Sequence, residues 1–77
     1  MIHFTPKECA VIRCLLHGYS HPRTASELGM SIETVKGYVY SLYNKTGMSS
    51  RVELAMKILH SAELLDQVFT LDKRTSK

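Results

Sequence analysis

Apolar positions along this chain recur at helical rather than strand spacing. Behind Pro6, Val11, Ile12, Cys14, Leu15 and Leu16 supply one face as far as Gly18. Ala25 and Leu28 form a second, shorter segment that stops at Gly29. Behind Ser31, Val35, Val39, Leu42 and Thr46 fall on one stripe at about 100° per residue, with Ile32, Tyr38 and Tyr43 on its flanks. The last helical segment has two stripes. Val52, Ala55, Met56 and Leu59 are expected to cover the other helices, while Leu54, Ile58 and Leu65, with Ala62 at the edge, lie nearly opposite. The pattern predicts an all-α, four-helix domain over residues 4–65. A tail over 66–77 would be apolar through Leu71 and frayed from Asp72 to Lys77.

The ends of these segments carry their own chemistry. In Thr5-Pro6-Lys7-Glu8, Thr5 can cap, Pro6 suits the first helical turn, and Glu8 can return a bond to the cap amide. Ser20 is the expected cap of the second helix, with Pro22 in its first turn. Gly29 can adopt the left-handed conformation that stops a helix, and Ser31 can cap the next one. Two helices joined by so few residues must turn sharply, which predicts a helix-turn-helix. Ser50-Arg51-Val52-Glu53 reads as a second full capping box.

The third helix, Ile32 to about Lys45, has a polar side opposite its valines. Glu33, Gly37, Tyr40 and Asn44 form it, bordered by Lys36, Lys45, Thr34 and Ser41. A solvated face is the bland reading of such a pattern. Gly37 argues against it, because glycine in mid-helix costs roughly 1 kcal/mol relative to alanine. A helix that brings its backbone close to another surface has a use for one.

Several of these residues together resemble the LuxR-type (FixJ/NarL, GerE-like) DNA-binding domain. They are Phe4-Thr5-Pro6-Lys7-Glu8, Val11-Ile12, Gly18, Ser20, Ala25, Leu28, Ser31, Thr34-Val35-Lys36, Lys45, Gly47, Arg51 and Glu53. The likeness covers about residues 4 to 60 without insertion or deletion. It implies a major-groove recognition helix in which Lys36, Gly37 and Tyr40 enter the groove, Lys36 bonding guanine O6 and N7 and Tyr40 meeting a base, phosphate or thymine methyl. Glu33 can accept from cytosine N4 or simply favour the helix dipole. Ser31, Thr34 and the lysines would hold phosphates. The expected DNA-binding set is Arg23, Ser31, Glu33, Thr34, Lys36, Gly37, Tyr40, Asn44 and Lys45. The family pairs through its fourth helix, which implies a homodimer joined by Leu54, Ile58, Ala62 and Leu65. The alternative is that the residues from Leu65 on, too apolar at Leu65, Val68, Phe69 and Leu71 for a free tail, fold back and cover that stripe.

The chain also departs from the family pattern. His21-Pro22-Arg23-Thr24 replaces Asn-Lys-Glu-Ile, Ala10 replaces a second acid, Tyr38 replaces a histidine, and Thr46 and Met48 replace leucine and valine. Arg23 at a helix start sits against the positive end of the dipole. Either Arg23 and His21 face a phosphate, or an exposed cap has drifted.

Charge adds a modest lean. The 77 residues hold ten Lys and Arg against seven Asp and Glu, a net charge of +3, and residues 1–60 hold seven of the basic against four of the acidic groups. This is compatible with an anionic partner and does not by itself establish one. Cys9 and Cys14 stand about 140° apart on a helix, so they cannot share a bridge or a ligand face. Reduced, partly buried thiols and no metal are expected, and no cofactor or small-molecule ligand. No apolar run approaches the ~20 residues that span a bilayer. The N-terminus lacks the basic region and apolar core of a signal peptide, so a cytoplasmic location with no membrane partner is expected.

The functional expectation is a bacterial transcription regulator that binds double-stranded DNA, with RNA polymerase or another LuxR-type regulator as a further partner. Met1 lies three residues before Phe4, so a whole chain would resemble the stand-alone GerE-like members, whereas an excised piece would lack its switch. One rival is a protein-interaction module, an anti-activator that pairs with a full-length relative through helix four and denies it DNA. Another is a promoter-element reader like sigma-factor region four, which lacks the Thr-Pro-x-Glu start. An enzyme is not expected, since no nucleophile–base pair, paired acids or phosphate-binding glycine loop is present.

Overall fold

The computed structural model describes the backbone of residues 2–75 and the side chains of residues 2–69. Five helices follow one another: α1 (Pro6–Leu16), α2 (His21–Leu28), α3 (Ile32–Thr46), α4 (Arg51–Leu59) and α5 (Ala62–Thr75). The all-α class expected from the sequence holds, with one helix more than expected.

Local chemistry sets the first three helices. Thr5 caps α1 in a reciprocal box: Thr5 Oγ1 accepts from the Glu8 amide at 3.1 Å, and Glu8 Oε1 accepts from the Thr5 amide at 2.9 Å. Ser20 accepts from the Arg23 amide to start α2, and Ser31 accepts from the Thr34 amide to start α3. Gly29 (φ 66°) and Gly47 (φ 73°) end α2 and α3 in the left-handed conformation. A two-residue link, Met30 and Ser31, then leads from Gly29 into α3, and α2 packs across it as a helix-turn-helix requires.

The buried stripe of α3 is the expected one: Val35, Val39, Leu42 and Thr46. Thr46 is tolerated there because its hydroxyl donates to the Leu42 carbonyl at 2.8 Å. Val35, Val39 and Leu42 meet Val11, Ile12 and Leu15 of α1, Ala25 of α2, Leu54 and Ile58 of α4, and Leu64 and Val68 of α5 in one core.

The C-terminal third corrects the sequence reading. The fourth helix does not run on through Leu65. It ends at His60, and Ser61 caps a separate helix by accepting from the Leu64 amide at 3.3 Å. α5 folds back onto α1 and α4. Val68 is fully buried, and Gln67 clasps the N-terminus, its Oε1 accepting from the Phe4 amide and its Nε2 donating to the Ile2 carbonyl. Arg13 donates to the Val68 carbonyl at 2.6 Å. The expected frayed end from Asp72 is helical through Thr75, the side chains from Thr70 to Leu71 and beyond lie outside the described residues, and so do Ser76 and Lys77.

The two stripes of α4 are also exchanged. Leu54 is 1% and Ile58 0% exposed within this one chain, and Leu65 is half-buried against the same core. Val52, Met56 and Leu59, expected to cover the other helices, are 72%, 45% and 52% exposed. Of the expected dimer residues only Ala62 lies open. The physical reason is α5, which supplies Leu64 and Val68 to cover the stripe that would otherwise need a second subunit.

Candidate nucleic-acid interface

The outward side of α3 is unobstructed. Glu33, Gly37, Tyr40 and Asn44 share an arc of about 60° at 3.6 residues per turn, and all four are exposed, as are Thr34, Lys36 and Ser41. Tyr40 is 69% exposed, unusual for an aromatic side chain with nothing to cover it. A Cβ built on Gly37 meets no atom within 4 Å, so packing within the chain does not demand a glycine here. Tyr38 and Tyr43 are half-buried and pack against the core, which fixes the roll of α3 about its axis. At the N-terminus of α3 the Ser31 and Thr34 hydroxyls are exposed and 2.9 Å apart, forming a small polar platform beside the positive end of the helix dipole.

Two of the expected contacts are otherwise engaged. Lys45 turns back to the body: its Nζ lies 2.7 Å from Glu8 Oε1 and 3.0 Å from the His3 carbonyl. It thus braces the end of α3 against the start of α1. Burial alone would raise the pKa of Glu8, but the Lys45 ammonium and the Thr5 amide and hydroxyl outweigh it and hold the carboxyl below its ordinary range. Arg23 is exposed, with its guanidinium 4.2 Å from the centre of the Tyr19 ring and its Nε 3.5 Å from Glu27. Both contacts are superficial, so Arg23 remains available to a phosphate, but its geometry does not aim it at one.

Sequence reasoning missed a brace at the other end of α1. Arg51 donates from one nitrogen to the carbonyls of Leu15 (3.0 Å), in the last turn of α1, and Tyr19 (2.5 Å), in the link to α2; the Leu15 carbonyl also accepts from the Gly18 amide at 3.0 Å. The only trace in the sequence was its place among the resembling positions. The second capping box also closes differently: Ser50 accepts from the Glu53 amide, while Glu53 Oε1 accepts from the Ser49 amide and hydroxyl. These bonds lower the pKa of the exposed Glu53.

Cys9 and Cys14 are free and buried. Burial pushes both thiols above their ordinary range, so they stay protonated at neutral pH and are poor nucleophiles or metal ligands. Among the described residues no group of three or more His, Cys, Asp or Glu is placed to hold a metal ion, and no helix is long and apolar enough to cross a membrane.

A tight two-helix turn whose second helix is locked by its valines and open on its polar side defines a helix-turn-helix domain. Residues 3–58 match the family described as bacterial regulatory proteins, luxR family, and the chain belongs to that family. It is 38% identical over 53 residues to the response regulator Rre1 of Synechocystis sp., covering 69% of this chain and 23% of that protein. It is 35% identical over 60 residues to the probable transcriptional regulator ycf29 of Cyanophora paradoxa, covering 78% of this chain and 29% of the relative. With the transcriptional regulatory protein YdfI of Bacillus subtilis it shares 41% identity over 49 residues, 64% of this chain and 23% of the other. The matched segments thus span about a quarter of each relative's length. No solved structure matches.

Proposed function

We propose that this domain binds double-stranded DNA sequence-specifically and acts as a bacterial transcription regulator in the cytoplasm. α3 enters the major groove with Glu33, Lys36, Gly37 and Tyr40 towards the bases. Ser31, Thr34 and the flanking Asn44 meet the backbone and set the register. The observation that carries this reading is the uncovered arc of α3: a bare helix backbone at Gly37 beside a 69% exposed Tyr40, on a helix whose other side is wholly committed to the core. The names of the relatives, a response regulator and two transcriptional regulators, agree with it. Lys45 is left out of the contact set because Glu8 holds it.

Two copies would pair through α4 by Val52, Met56 and Leu59, which stand at i, i+4 and i+7 and form an apolar stripe left exposed by the described residues. Such a pair presents two α3 helices to successive grooves, about one helical turn apart. Selection of bound sites from random duplex DNA tests the reading, the expected result being an enriched motif with two-fold related halves. Lys36→Ala with Tyr40→Ala should remove the preference for that motif without changing the circular dichroism spectrum. The exposed α4 stripe equally suits a second reading, an anti-activator that pairs with a full-length relative. That reading gains if selection enriches nothing while the chain co-elutes with such a relative.

A further inference from the structure

Beside the open arc of α3 lies a cleft of about 190 Å³, bounded by His21 at the start of α2 and by Lys36, Val39, Tyr40 and Tyr43 of α3. A water molecule occupies about 30 Å³ of liquid, so the cleft can admit a tetrahedral phosphate group together with water. We propose that this cleft seats one phosphate of the DNA backbone, held by the His21 imidazole and the Tyr43 hydroxyl. The inference rests on the DNA-binding reading and deepens it.

Three observations converge here. First, the polar groups around the cleft are donors, or donor-capable: an imidazole, an ammonium and two phenols, with no carboxylate among its lining residues. Second, among the described residues none of these four side chains makes a hydrogen bond or ion pair within the chain, whereas Arg13, Lys45 and Arg51 are all held elsewhere. Third, the backbone of α2 supplies little of its own. Pro22 has no N–H, the Arg23 amide is taken by Ser20 Oγ and the Thr24 amide by the Ser20 carbonyl. Of the first-turn amides only that of His21 is left over among the described residues, so an anion at this helix start depends mainly on side chains. Val39 forms the floor, and Tyr43 is half-buried and rigid against the core, so its position is set before any duplex arrives. Lys36, on the rim, draws an anion inward by charge while its long stem still reaches towards the bases. His21 stands where the resembling pattern has asparagine, which gives that substitution a use.

Methylphosphonate scanning of the selected duplex tests the assignment, with wild type, His21→Gln, Tyr43→Phe and the double variant compared by fluorescence anisotropy. Neutralising one particular phosphate per half-site should weaken wild-type binding about tenfold, a loss the double variant should no longer show at that position. The double variant itself should bind cognate and altered duplexes more weakly by a similar factor, because a phosphate contact carries no base preference. Its melting temperature should match wild type, since both substitutions preserve size. If wild type and double variant respond alike at every phosphate, the assignment is overturned although the protein binds DNA. A loss confined to the cognate sequence overturns it too, making these residues base readers. If wild type binds no duplex at all, the DNA-binding reading and the cleft assignment fall together. Competition by free inorganic phosphate with no effect of backbone neutralisation would identify a small-anion site instead.

Discussion

The exchange of the two α4 stripes makes an unforgiving prediction. Ile58 is 0% exposed and sits between the α1–α3 core and the α5 residues that cover it. Truncating a fully buried isoleucine to alanine removes transfer free energy and leaves a cavity, costing ~2–5 kcal/mol. A chain of this length has only about 4–12 kcal/mol of total stability at ~0.05–0.15 kcal/mol per residue. Ile58→Ala should therefore lower the melting temperature by at least ~8 °C, at about 4–8 °C per kcal/mol, or unfold the domain. Leu59→Ala, one position away but 52% exposed, should stay within about 0.5 kcal/mol of wild type at concentrations where the protein is monomeric. Thermal melts by circular dichroism, repeated at several protein concentrations, separate the two effects. If Ile58→Ala melts like wild type while Leu59→Ala collapses, α4 is rolled by half a turn and the core described above is wrong.

Other predictions test the bonds that cross between helices. Glu8 has a pKa held below its unfolded value, so it contributes stability above the usual carboxylate range that disappears as pH falls through and below that range. The acid limb of wild-type stability should accordingly be steeper than that of Glu8→Gln in pH-dependent urea melts. Arg51→Ala should cost ~1.5–3 kcal/mol by removing two charge-assisted hydrogen bonds and leaving the Tyr19 carbonyl without its donor, and Arg51→Lys should restore only part of it. Thr24 is fully buried, and its hydroxyl has no hydrogen-bond partner; the Cys14 thiol is near enough to feel it but not in bonding geometry. Thr24→Val should then be neutral or stabilising by up to ~1 kcal/mol in the same melts. Met56→Glu with Leu59→Glu should leave the fold intact while reducing dimer on sizing columns, whereas a dimer that persists would move the pairing surface off α4.

What could be read from residue order follows from how far each interaction reaches along the chain. The caps at Thr5, Ser20 and Ser31, the stops at Gly29 and Gly47 and the roll of α3 are all decided within one or two helical turns, and each was legible. The Lys45–Glu8 pair joins residues 37 apart, and Arg51 reaches 36 residues back to Leu15. No local pattern announces such contacts, so Lys45 read as a surface cation. The break between α4 and α5 had a signal, a serine at position 61 able to cap, but apolar residues on both sides of it can be phased as one long helix. With that helix joined, the stripe of Leu54 and Ile58 can be covered either by a second subunit or by the apolar tail folding back, and α5 supplies the second of these. The candidate interface fared better than the pairing surface because an exposed polar arc is defined by the same periodicity that defines the buried stripe opposite it.

Gly37 offers the most direct test of the central claim that the polar side of α3 enters a duplex. Among the described residues no atom outside the local helix backbone lies within 4 Å of a Cβ at that position, and the position faces outward, so a side chain can be added there without displacing the core. Gly37→Phe should melt at or slightly above the wild-type temperature, since phenylalanine is a better helix former than glycine. In an anisotropy titration against the selected duplex the same variant should lose specific binding, because the ring occupies the volume the groove must fill. Wild-type affinity and sequence preference in Gly37→Phe would contradict the account.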